Sequence, residues 1–177
     1  MFRFFRFALP LVVAASAAFP AIAKDDQSFF RSIEGKWTGP GEIVAGKYKG
    51  TKFNCTLDGT TPTGATGITM DGTCRVGVFA QEMKAVISRD NDGYSGAFLD
   101  GAAGKGLDIV SGNVSRDRVT MSLNRKKLNG AMLARLENSE TMHVTISVRV
   151  NKEMVRVIGM SLKRTVDTSS TGAIAKN

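Results

Sequence analysis

Two cysteines, Cys55 and Cys74, and a single histidine, His143, are the side chains of this sequence with the most chemistry to offer. The cysteine pair has no C-x-x-C spacing and no histidine beside it, so it lacks the pattern of a redox or zinc site. A structural disulfide is the expectation, with loop closure contributing about 3 kcal/mol. No cofactor or metal site is implied. His143 falls on the polar side of an alternating segment, where a solvent-exposed role is expected rather than that of a general base. The motifs G-x-S-x-G, H-E-x-x-H and S-x-x-K are absent. The run Asp100-Gly101-Ala102-Ala103-Gly104-Lys105-Gly106 approaches a phosphate-binding loop, but Leu99 and Gly106 stand where glycine and Ser or Thr are required. Asp90-Asn91-Asp92-Gly93 starts like a calcium loop and lacks the later glutamate. Both read as hairpin turns. Acid-base catalysis would require separated residues such as Glu82, Asp108, His143 and Arg149 to converge in space, and the chain is not expected to be an enzyme.

Compartment comes from the first 23 residues. Arg3 and Arg6 precede an apolar run from Phe7 to about Phe19, and Ala21-Ile22-Ala23 forms a small-x-small cleavage site. Residues 1–23 are therefore expected to be a signal peptide. The mature chain would be periplasmic or secreted, beginning after a cut near Ala23. The apolar run is short and broken by Pro10 and Pro20, so the mature chain is expected to lack a transmembrane span. An oxidising compartment suits the Cys55–Cys74 disulfide. The chain has 24 Lys and Arg against 16 Asp and Glu. Loss of Arg3 and Arg6 leaves a net charge of about +6; its cations are scattered along the chain, so it is expected chiefly to keep the protein soluble, and as a partner it favours anionic envelope material over nucleic acid in that compartment.

The elements follow from turn spacing. Asp25 to Glu34 reads as a short helix, capped by Asp25 or Asp26, with Phe29, Phe30 and Ile33 on one face and Gly35 as its stop. Turn residues then recur every 8–12 positions. They delimit ten strands, at residues 37–44, 51–57, 68–78, 82–89, 94–99, 107–114, 119–124, 128–136, 142–150 and 154–164. The first is expected to bend around Gly39-Pro40-Gly41 and the third to kink at Asp71-Gly72. Val119, Met121 and Leu123 alternate with polar residues, as do Met142, Val144, Ile146, Val148 and Val150. That is a sheet with one buried face. The expected fold is all-β: a single antiparallel meander closing into a barrel of about 8–10 strands, with a short N-terminal helix. The domain would cover residues 24–166 and leave a flexible tail at 167–177. Trp and Tyr total only three, too few for the aromatic girdles of an outer-membrane barrel.

A short helix, then Gly35-Lys36-Trp37 opening the first strand, then Lys163-Arg164 ending the last, resembles the calycin superfamily and lipocalin-like barrels in particular. In those barrels a G-x-W follows a short helix, and a basic side chain near the end packs across the indole. The resemblance rests on Gly35 and Trp37, with Lys163 or Arg164 by position, and the Thr-Asp-Tyr motif of many lipocalins is absent. It implies a carrier of small apolar ligands rather than an enzyme. The candidate ligand-binding residues are Phe53, Phe98, Met142 and Met160. The structural candidates are Cys55, Cys74, Gly35, Trp37 and Arg164. The eight methionines would line an adaptable cavity or simply pack a core, and Phe53, Phe79 and Phe98 would serve either role. Two functions follow: binding of a small apolar or amphipathic ligand or lipid inside the barrel, or an envelope-maintenance or interaction module whose filled barrel contacts an anionic surface or a protein.

Overall fold

The computed structural model describes residues 22–99 and 107–165. The expected leader as far as residue 21, the glycine-rich turn at 100–106 and the tail at 167–177 lie outside these residues. Helix α1 spans Ile22–Ser32. Ten strands follow: β1 Gly35–Ile43, β2 Lys52–Thr60, β3 Gly67–Val76, β4 Phe79–Asp90, β5 Gly93–Leu99, β6 Leu107–Ser115, β7 Arg118–Arg125, β8 Leu128–Asn138, β9 Thr141–Val150 and β10 Glu153–Thr165. Each pairs antiparallel with its chain neighbour, and β1 also pairs with β10, so the meander closes into a barrel. Closure gives every strand two partners and leaves no edge to be shielded.

Several connections are two-residue turns, and at four of them, led by Gly77, Arg116, Lys126 and Asn151, the first residue has a positive φ. That conformation matches the right-handed twist of the flanking strands. Along β7 and β9 the apolar residues Val119, Met121, Leu123, Met142, Val144 and Ile146 are buried and their polar neighbours face out. The expected alternation holds through β7 and as far as Ile146 in β9; beyond it Val148 is only half-buried and Val150 is exposed, since the strand there runs out past the end of the core. The alternation is interrupted elsewhere by register shifts in β6, β8 and β10, which move later side chains to the other face. The first strand keeps a single register with both neighbours through Gly39-Pro40-Gly41. Its ladder with β10 runs Thr38↔Lys163 and then Gly41↔Met160, skipping the Gly39-Pro40 step, because proline has no N–H to give.

Three local expectations need correction. Asp25 and Asp26 do not cap α1, which already begins at Ile22; Asp26 lies inside the helix and is 5 % exposed, held by partners on the barrel. No kink occurs at Asp71-Gly72, since β3 pairs with β4 in one register throughout. Val78 is not a strand residue: Gly77-Val78 is the turn, and β4 starts at Phe79 rather than Glu82. An apolar β-branched residue favours a strand by its side chain, while glycine at φ 56 makes the turn one residue earlier.

Cys55 and Cys74 are directly opposed in the β2–β3 ladder and form a disulfide. Because the ladder already fixes their register, the bond limits the unfolded chain more than it shapes the barrel. The double variant C55A/C74A is expected to retain the barrel's circular dichroism and lose up to about 3 kcal/mol in urea denaturation; an unchanged midpoint would show that the bond adds nothing to stability.

Candidate functional site

The interior is built from a plugged end and a methionine-lined middle. Helix α1 sets Phe29, Phe30 and Ile33 into the core, with the Phe30 ring 5.9 Å from that of Tyr94. A helix ends with carbonyls that have no partner of their own. Here three consecutive ones are satisfied by the first and last strands. Trp37 Nε1 donates to the Ile33 carbonyl at 3.0 Å. Arg164 Nη2 donates to the Ser32 carbonyl at 2.6 Å and Nη1 to that of Glu34, while Nε reaches the Ser139 carbonyl at 2.9 Å. The guanidinium also lies 4.3 Å from the centre of the fully buried Trp37 ring. Arg164, not Lys163, is thus the cation across the indole, and Lys163 faces solvent. Gly35 turns the chain between helix and strand at φ +92, a region that a residue with a Cβ adopts only under strain.

A second tie fixes the helix from the other side. Asp26 shares the helical face of Phe29, Phe30 and Ile33 and would be a buried charge without a partner. Tyr94 Oη donates to Asp26 Oδ2 at 2.7 Å, and Arg89 pairs with the same oxygen. Burial, reinforced by the Asp26 carboxylate, pushes the Tyr94 phenol well above its ordinary value. Sequence reading missed this trio. A carboxylate on an apolar helical stripe was the available signal, but nothing in the sequence pointed to strands β4 and β5 for its partners.

Between these ties and the far end lies a cavity of about 70 Å³. Ile33, Phe98, Met70, Met132, Met142 and Met160 are among its apolar walls. A void of about 40 Å³ shares Met70, Phe98 and Met160 with it and extends toward Cys74 and Met83, away from α1. Met121 fills the space over Gly112, Met70 that over Gly59, and Phe53 with Met160 that over Gly41. Small backbone positions therefore do not leave a large hollow: flexible thioethers occupy them. No titratable side chain lines the larger cavity, so it can hold apolar groups by burial and dispersion but offers no group to exchange a proton.

Three of the four candidate ligand residues, Phe98, Met142 and Met160, meet at this cavity. Phe53 faces inward against Gly41 instead. Phe79, a further aromatic candidate, is outside altogether, 76 % exposed beside the β3–β4 turn. Glu82, Asp108, His143 and Arg149 do not form one cluster, since β9 and β4 stand on opposite sides of the barrel. His143 Nε2 lies 2.9 Å from Glu137, and that hydrogen bond lowers the Glu137 pKa. The Asp90–Gly93 segment is a hairpin turn, in which Asp90 Oδ1 accepts from the Asp92 amide at 2.9 Å. Among the described residues no group of three or more His, Cys, Asp or Glu could hold a metal ion, and no helix is long and apolar enough to cross a membrane. No known protein family and no curated protein matches this sequence.

Two outcomes test the ties. Replacing Arg164 by Ala is expected to cost about 3 kcal/mol, because several carbonyls lose their donor at once, and Arg164→Lys should restore under half of that, a point charge being unable to reach three carbonyls and cover the ring. Equal stability of the Lys variant and the parent in urea denaturation would refute the assignment. Tyr94 keeps its proton in the folded state to higher pH than the unfolded chain, which ionises near pH ~10. Its contribution is therefore complete below that pH and is lost as pH rises past it. Tyr94→Phe should be less stable than the parent by about 1–2 kcal/mol near neutral pH, with a gap that closes in alkali; a gap constant with pH would contradict it.

Proposed function

We propose that the protein is an exported, non-enzymatic barrel that binds the apolar part of a small amphipathic ligand in its methionine-lined interior. The observation that carries this reading is the cavity of about 70 Å³ with wholly apolar walls. Its size is well under the ~300–1,000 Å³ of pockets for drug-sized ligands. A bulky ring system is therefore disfavoured, and a slender chain is the class that fits, entering as Met70, Met83 and Met160 turn aside. Helix α1 stoppers one end, so entry is from the other. The placement of Trp37 and Arg164 supports the lipocalin-like resemblance, and with it a carrier's role. The leader-like residues 1–23 and the Cys55–Cys74 disulfide support export to a periplasmic or extracellular setting.

Ala85 and Ala134 are small cavity-lining positions. Calorimetric titration with dodecanoate is expected to show saturable binding that weakens at least about tenfold in A85L/A134L, since added methylenes occupy the ligand's space. Circular dichroism should show the barrel intact in that variant. Absence of saturable binding in the parent, combined with no apolar molecule in organic extracts of the protein from its own cells, would sink the reading.

A further inference from the structure

The two ends of the barrel differ in kind. At the α1 end, the turns at 61–66, 91–92, 116–117 and 139–140 carry Arg116 against Asp92, Asp117 and Glu140. At the opposite end, the described turns at 44–51, 77–78, 126–127 and 151–152 carry Lys47, Lys49, Lys126, Lys127 and Lys152 and no carboxylate. All five lysines are exposed. The same end holds the apolar surface. Of the described residues, nine large hydrophobic side chains are exposed, and all nine lie in the half of the barrel that ends in the lysine turns. The most prominent are Val78 at 88 % and Phe79 at 76 %. Tyr48 stands between Lys47 and Lys49, Leu128 follows Lys126-Lys127, and Val150 and Met154 flank Lys152.

Isolated exposed hydrophobic residues are ordinary on a protein surface, but their confinement to one half of the barrel is not. Each of these turns pairs an apolar tip with a neighbouring ammonium group, apart from Gly77-Val78, whose tip is apolar alone. A folded protein partner is the poorer fit, because lysine is depleted in protein interfaces and this rim is a ring of separate tips around a mouth rather than a continuous patch. The interfacial zone of a bilayer suits both groups at once: aromatic and aliphatic tips sink to the acyl boundary while lysines reach phosphate oxygens. We propose that this end of the barrel docks on the surface of an anionic phospholipid bilayer, with Val78 and Phe79 inserted and the five turn lysines on the headgroups. The docking goes beyond the proposed ligand binding and stands independently of it, although it would set the mouth of the barrel against a source of apolar chains.

The test is co-sedimentation of the protein, recovered from its own cell envelope, with vesicles of phosphatidylglycerol and phosphatidylcholine in equal parts, and with vesicles of phosphatidylcholine alone. Binding is expected to the anionic vesicles, falling as salt rises. It should drop at least about tenfold in K126E/K127E, at about 1 kcal/mol per cation near the surface, and by a comparable factor in V78S/F79S. Dodecanoate titration of the same variants should be unchanged, whereas A85L/A134L should keep vesicle binding and lose the chain, so the two proposals fail separately. Equal binding to both vesicle types, no binding to the anionic ones at low salt, or binding that neither rim variant reduces would overturn the docking. So would loss in K126E/K127E with none in V78S/F79S, which would indicate contact with any polyanion rather than with a bilayer.

Discussion

The cation of Arg164 on the buried Trp37 ring is the contact on which the rest of the barrel depends. Strand β1 and strand β10 meet only through long-range closure, and their ladder lacks its middle rungs at Gly39-Pro40. The indole and the guanidinium join those two strands to each other and to the last carbonyls of α1. A single planar group thus holds the start of the sheet, its end and its stopper. Arginine suits the position because its charge is spread over a plane that stacks on a ring while its edge donates in several directions. Asp26 with Tyr94 and Arg89 acts at the other side of the helix. Together they hold α1 in the barrel's mouth with its buried polar groups paired, as a low-dielectric setting demands.

That rigid end contrasts with the interior. Branched side chains such as Ile68, Val119 and Leu162 are fully enclosed near the plug. Further along, methionines fill the space over inward glycines. A thioether chain has several soft torsions and no branching, so it can occupy a volume without defending one shape. The barrel is consequently well filled, by side chains with soft torsions. At the rim the balance of forces changes again: the described turns carry no carboxylate, and lysines and uncovered apolar side chains stand there instead.

Much of this architecture was legible beforehand. Turn residues at regular spacing delimit ten strands, and ten form; the alternating runs face as their pattern requires through β7 and as far as Ile146 in β9, beyond which Val150 is exposed. Both cysteines could be paired by elimination. Boundaries were less reliable where an apolar residue sits in a turn: Val78 looks like strand because its side chain favours one, and only the pairing of Val76 with Phe79 places it at a tip. The aromatic candidates divided for the same reason. Phe98 lines the cavity and Phe79 lies outside, although both read as equally apolar.

Periodicity, turn chemistry and the two cysteines therefore determined the class of fold, a strand count of about 8–10 and one covalent link, because each of these is a local property of the chain. The tertiary structure decided what is shared between distant segments. It chose Arg164 over Lys163, gave Asp26 its partners on β4 and β5, placed methionine against glycine inside, and gathered lysines and apolar tips from separate turns onto one rim. Those outcomes depend on strand register, and a register shift of one residue, as in β6, β8 and β10, exchanges the two faces of everything beyond it.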